Sequence, residues 1–170
     1  MKKIIILTAL IASVLFAACT GGEKQFNKYG IAFTCPAEWK VTGTEKNGNF
    51  VRVTIEKTGE NSSGILSIAI STNDFRVHSD LVASYCEHLE DYDFFNITTQ
   101  EMPEVMYGGY LMSCTSYRAT LQESLLRGTI YSITVNEQTI LLVEQEIIED
   151  IAVNEAGFAR IKETMTFFAE

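Results

Sequence analysis

Leu125-Leu-Arg-Gly-Thr-Ile-Tyr-Ser-Ile-Thr-Val135, Asn136-Glu-Gln138 and Thr139-Ile-Leu-Leu-Val-Glu-Gln-Glu-Ile147 together decide the fold. Both long segments are rich in β-branched and aliphatic residues and contain no proline, so each reads as a strand. Only three polar residues join them, and a link that short connects antiparallel neighbours.

Working upstream, Gly109 to Arg118 reads as a further strand, and Phe94 to Glu101 as another that ends at Pro103. Ile65 to Ser71 places Leu66, Ile68 and Ile70 on one side. Phe50 to Lys57 turns Val51, Val53 and Ile55 inward and Arg52, Thr54 and Glu56 outward, after a hairpin turn at Lys46-Asn47-Gly48-Asn49. A short strand, Trp39 to Thr42, follows the turn Pro36-Ala37-Glu38. Before it, Tyr29 to Cys35 alternates, with Tyr29, Ile31, Phe33 and Cys35 on one face.

Twice the period changes from two to about 3.6. Ser79 or Asp80 is placed to cap a helix running to about Asp91, with an apolar stripe of Leu81, Val82, Tyr85, Cys86 and Leu89. A last helix starts at Asn154 or Glu155 and carries Phe158, Ile161, Met165 and Phe168 on one face. The order strands, helix, strands, helix predicts an α+β domain over residues 29–170: an antiparallel sheet of about six to seven strands with helices packed on it.

The N-terminal residues predict an address. Lys2 and Lys3 precede an apolar run from Ile4 to Val14 and then Leu15-Phe-Ala-Ala-Cys19. That is the layout of a secretory signal, too short and wrongly flanked for a spanning helix. Leu-x-Ala-Ala-Cys resembles the bacterial lipobox. The resemblance implies a signal peptide over residues 1–18, cleavage before Cys19 and diacylglycerol on its thiol, with several acyl chains holding the protein to the membrane. No Asp follows Cys19, which by resemblance to enteric-type sorting favours the outer membrane, on its periplasmic face or at the cell surface. Residues 19–28, polar and glycine-containing, read as a short lipidated tether.

Charge excludes some partners. The 170 residues carry a net charge of −9, and cleavage before Cys19 would remove eighteen residues and two lysines, leaving −11. So acidic a surface repels nucleic acid and does not hold to anionic lipid by charge alone.

The chemistry-bearing residues fit bland roles. Asp74, His78, Asp80, Glu87 and His88 cluster along the first helix, but ten residues on a helix separate the two histidines by about 15 Å, too far to share a metal. Glu144, Glu146, Glu149 and Asp150 form an acidic run without the spacing of a calcium loop, and read as a solvated strand edge. Cys35, Cys86 and Cys114 match no zinc pattern. Core packing is the leading reading for them, with a Cys86–Cys114 disulfide as the rival. No nucleotide or hydrolase fingerprint is present, so no catalytic residue, metal or cofactor is expected. Among the aromatics, Tyr107, Tyr110, Tyr117 and Phe94 are candidates for a binding face on the sheet, and equally for core residues under the helices.

The run Tyr29-Gly-Ile-Ala-Phe-Thr-Cys-Pro-Ala-Glu-Trp39, the central helix, the Gly108-Gly109 strand, the hairpin at Asn136 and the closing helix together resemble the PsbP-like domains. That family includes the photosystem extrinsic protein PsbP, the Ran-binding protein Mog and bacterial lipoproteins such as DcrB. The resemblance implies an antiparallel sheet sandwiched between helices. It also implies a binding or assembly factor for a protein partner in the cell envelope rather than an enzyme. A carrier of a small lipid or aromatic ligand, with its pocket between sheet and helix, is the other expectation.

Overall fold

The computed structural model describes residues 22–59, 63–135 and 137–168. The expected signal peptide, Cys19 and Asn136 lie outside these described residues. In chain order the elements are β1 (Lys24–Lys28), β2 (Ile31–Cys35), β3 (Trp39–Asn47), β4 (Phe50–Lys57), β5 (Ile65–Thr72), α1 (His78–Asp91), β6 (Phe94–Tyr107), β7 (Tyr110–Leu121), β8 (Ser124–Val135), β9 (Gln138–Ile147), α2 (Ile151–Thr164) and β10 (Thr166–Phe167). Seven strands form one sheet in the order β3-β4-β5-β9-β8-β7-β6, and β1-β2-β10 form a small second sheet. All the pairings are antiparallel. The expected α+β architecture, a sheet of six to seven strands with helices on it, is the one observed.

The alternation of side chains splits the core in two. On one face, Val53, Ile55, Leu66, Ile68, Ile140 and Leu142 pack against Ile31 and Phe33 of β2 and Phe158 and Ile161 of α2. On the other face, Leu89 of α1 packs with Tyr117, Ala119, Ile130 and Val143. Most of these aliphatics are 0–1% exposed, at about 1.5–3 kcal/mol of burial each, so the two layers hold the sheet from both sides.

Several boundaries differ from the sequence reading, each for a physical reason. Residues 24–28, read from the sequence as part of a tether, are a strand. This strand, β1, pairs residue by residue with β2, and Phe26 stacks on Phe33 at 4.9 Å. Tyr29 is therefore not in a strand; with φ of 58° it forms the β1–β2 turn with Gly30. β3 runs to Asn47 rather than Thr42, across a bulge between Val41 and Gly43. β6 continues through Pro103 because it is an edge strand, where a missing N–H costs nothing, and a bulge between Met102 and Val105 absorbs the proline.

α1 begins at His78 after Val77, with no side-chain cap from Ser79 or Asp80. α2 begins at Ile151, so Asn154 lies in its first turn, fully buried. Met165 ends α2 in an extended conformation, and Phe167 then pairs with Ile31 while Phe168 stays exposed. The three cysteines among the described residues are free thiols: Cys35 and Cys114 are buried and Cys86 is half-buried. Cys114 packs with the α2-side core whereas Cys86 belongs to α1, so the sheet itself separates the two partners of the rival disulfide reading.

Candidate binding groove

Strand register builds a polar floor on the α2 side of the sheet. Residues directly opposite on paired strands project to the same face. Thr98, Arg118, Arg127 and Glu146 are opposite one another across β6, β7, β8 and β9, and Gln100, Ser116, Thr129 and Glu144 form the next row. α2 walls this floor with Glu155, Ala159, Lys162 and Glu163, leaving an open groove of about 840 Å³. α2 packs mainly on β2 and β9, which leaves the groove open beside it.

Two ionic clusters line it. Glu144 accepts a hydrogen bond from the Tyr131 hydroxyl at 2.8 Å and one from the Tyr107 hydroxyl at 3.4 Å. Lys162 lies 3.5 Å from Glu144, donates to the Tyr131 oxygen at 3.2 Å and sits 5.2 and 5.0 Å from the two tyrosine ring centres. Burial first, and then the Glu144 carboxylate, push both phenols far above their ordinary range, so they remain protonated donors.

In the second cluster, Arg127 donates to Glu146 Oε1 through Nε at 2.8 Å and Nη2 at 2.7 Å. Glu146 Oε2 is shut from solvent with no hydrogen-bond partner among the described residues. Like charges directly opposite on a sheet repel. Arg118 faces Arg127 in this way, and Arg127 is already neutralised by Glu146. Arg118 is exposed and makes no ion pair among the described residues, and it shares the groove with the exposed carboxylates of Glu155 and Glu163.

This corrects one reading of the acidic run. Glu144 and Glu146 stand on β9, an interior strand, and Glu146 is 5% exposed, so they are not a solvated edge. Asp150 accepts a hydrogen bond from Ser63 at 2.7 Å near the start of α2. No group of three or more metal-ligating side chains is brought together among the described residues.

The four aromatic candidates do not form one face. Tyr107 and Tyr110 are on the α2 side, where Tyr110 packs on Phe167 with ring centres 5.9 Å apart. Tyr117 and Phe94 are on the α1 side. Tyr107 and Tyr117 are 1% and 2% exposed, so both are core residues with satisfied hydroxyls. Tyr117 donates to Gln145 at 2.7 Å, and Tyr85 to the same oxygen at 3.2 Å. Phe94 does line a smaller trough of about 310 Å³ beside α1, with Tyr85, Tyr92, Leu141 and Val143.

The histidines are far apart in role. His78 sits between Ser132 Oγ at 2.7 Å and Thr115 Oγ1 at 2.8 Å, both buried, and so pins the start of α1 to the sheet. Its burial lowers its pKa below the ordinary 6.5, against a smaller upward pull from Glu101. His88 stacks edgewise on Tyr92 at the other end of the helix. The charged floor of the groove was not foreseen, because the rows arise only when register brings four strands together. The adjacent Arg127 and Glu144-Gln-Glu146 in the joined strands were the available signal.

No helix among the described residues is long and apolar enough to cross a membrane. No family model matches the chain, and no curated protein matches it. Solved structures do. The chain is similar to the solution structure of cyanobacterial PsbP (CyanoP) from Synechocystis sp. PCC 6803, with TM-score 0.55 and 13% identity over 89% of this chain and 96% of that one. It is also similar to LpqN of Mycobacterium tuberculosis, described as involved in cell envelope biogenesis, with TM-score 0.55 and 13% identity over 86% of this chain and 91% of that one. The fold is that of the PsbP-like domains.

Proposed function

We propose that this chain is a lipid-anchored protein of the cell envelope that binds a protein partner, without catalysis, in the groove between β6–β9 and α2. The observation that carries the reading is the groove itself: about 840 Å³ of open space lined by charged side chains of both signs, among them the exposed Arg118. A charged, open cleft of this kind suits a polar segment of a partner better than a lipid tail. The lipobox ending at Cys19 and the envelope role described for LpqN support the address. The outer membrane is the favoured location because no Asp follows Cys19.

The test is metabolic labelling with an acyl analogue, combined with in-cell crosslinking and pull-down, in the native chain and in Cys19→Ser. The expected result is acyl label only on the native chain and one stoichiometric envelope protein recovered with it. Absence of label, or of any such protein, would refute the proposal. The small trough lined by Tyr85, Tyr92 and Phe94 favours a second reading, a carrier of a small aromatic ligand. A saturable thermal shift with aromatic compounds, removed by Tyr92→Ala, would support that reading over the first.

A further inference from the structure

We infer that the lipid bilayer is itself a docking surface for this domain, which rests on it in a fixed orientation through β1 and the adjoining flank of α2. The inference rests on the reading of Cys19 as the lipid attachment site. Glu23 and Lys24, four and five residues beyond Cys19, are already tied to the rest of the domain. Glu23 forms a two-pronged pair with Arg160 of α2, at 2.8 Å to Nε and 2.9 Å to Nη2. From Lys24 every residue of β1 is in register with β2, and Gln25 donates to Thr34 at 2.8 Å. Glu23 is only four residues beyond Cys19, so covalent geometry alone limits the anchor to within about 14 Å of that pair.

A domain on so short a leash cannot turn freely. The Glu23–Arg160 pair is half-exposed on both sides and adds little alone. The β1–β2 ladder, with Phe26 stacked on Phe33, is what fixes the exit point of the chain. Lys24 and Lys28 flank Phe26 on one side of β1, at the rim of the core that Phe26 covers, and both are exposed. On a chain that is otherwise strongly acidic, they place two cations beside the anchor, where headgroup phosphates lie. α1 packs on the opposite face of the seven-stranded sheet. Sheet and helix layers about 10 Å thick each put its outer residues, such as Ser84 and Glu87, on the order of 25 Å further from the bilayer.

The experiment uses the mature chain beginning at Cys19, joined to a maleimide phospholipid on that thiol, with a single adduct verified by mass, in nanodiscs containing anionic lipid. A nitroxide on the lipid headgroup then broadens amide NMR signals of nearby residues. The expected profile is several-fold stronger broadening at Lys24–Lys28 and Arg160 than at Ser84 and Glu87. Inserting twelve Gly/Ser residues between Gly22 and Glu23 should bring the two sets towards parity. Equal broadening of α1 and β1 in the protein without the insertion would overturn the inference. Because the lipid is attached chemically, that outcome overturns the orientation alone. Absence of acyl label in cells overturns the lipoprotein reading alone.

Discussion

Replacing Gly157 by alanine should destabilise this protein, against the usual rule for helices. Gly157 lies in the middle of α2 and is buried. In an exposed helix Gly→Ala gains about 0.5–1 kcal/mol, because glycine loses the most backbone freedom on folding. Here a Cβ would stand 2.1 Å from Trp39 Nε1, 2.4 Å from Cε2 and 2.7 Å from Cζ2. Ordinary carbon contacts are about 3.5–4.0 Å, so helix and ring must separate by more than an ångström. Neither can do so cheaply. Trp39 is 4% exposed and packs edge-on against Phe158 at 4.9 Å, and Ile161 on the same helix is fully buried. Overpacking costs about 1–3 kcal/mol, and with three ring atoms inside 3 Å the upper end applies. Offsetting the propensity gain leaves a net loss of about 2 kcal/mol. For a chain of this size that lowers Tm by about 4–8 °C. Urea unfolding of G157A against the native chain measures it, and Trp39→Phe should reduce the penalty by shrinking the ring, giving a coupling of about 1 kcal/mol in a double-mutant cycle. A G157A protein as stable as the native one would refute the close packing of α2 on Trp39.

Other outcomes follow from single residues. Burial holds the folded pKa of His78 below 6.5, so as pH falls through 6.5 the unfolded chain takes up the proton first and stability declines towards the lower, folded pKa. Between pH 7.5 and 5 the native chain should therefore lose more stability than His78→Gln; parallel urea midpoints would contradict this. Burial raises the pKa of Cys35, Cys86 and Cys114, and only Cys86 is half-exposed, so iodoacetamide acting on folded Cys19→Ser should modify Cys86 first and the other two only on unfolding. Equal labelling of all three, read by mass spectrometry, would be inconsistent with the core. Arg118→Ala removes a like-charge neighbour of Arg127 and should change stability by less than about 0.5 kcal/mol while weakening partner recovery in the crosslinking assay. Unchanged recovery would remove Arg118 from the binding surface.

How much of this was legible in the residues depends on where the information lies. The β4–β5 pattern of Val51, Val53, Ile55, Leu66, Ile68 and Ile70 is local, and the turn at Asn47-Gly48, with Gly48 at φ of 55°, carries its own chemistry. These were readable. β1 was not, because Lys-Gln-Phe-Asn-Lys offers one apolar residue; its order comes from pairing with β2 and from Phe26 meeting Phe33. Pro103 suggested a strand end because nothing in the chain says that β6 will be an edge. The groove was least legible of all. Arg118, Arg127 and Glu146 are distant or on different strands in sequence, and only the register of β7, β8 and β9 aligns them. The aromatic candidates divide for the same reason: strand parity sends Tyr107 and Tyr117 to opposite sides, each as a core residue, which was the other reading of them.

A partner protein seated in the groove should be captured by a photo-crosslinking amino acid at Ser116. Ser116 lies on the groove floor, whereas Glu87 is exposed on α1 behind the sheet and serves as the control position. Irradiation of living cells should yield one discrete higher-mass adduct from position 116, reduced in Cys19→Ser, and none from position 87. Adducts equal at both positions, or absent at 116 while the protein remains folded and anchored, would contradict the account.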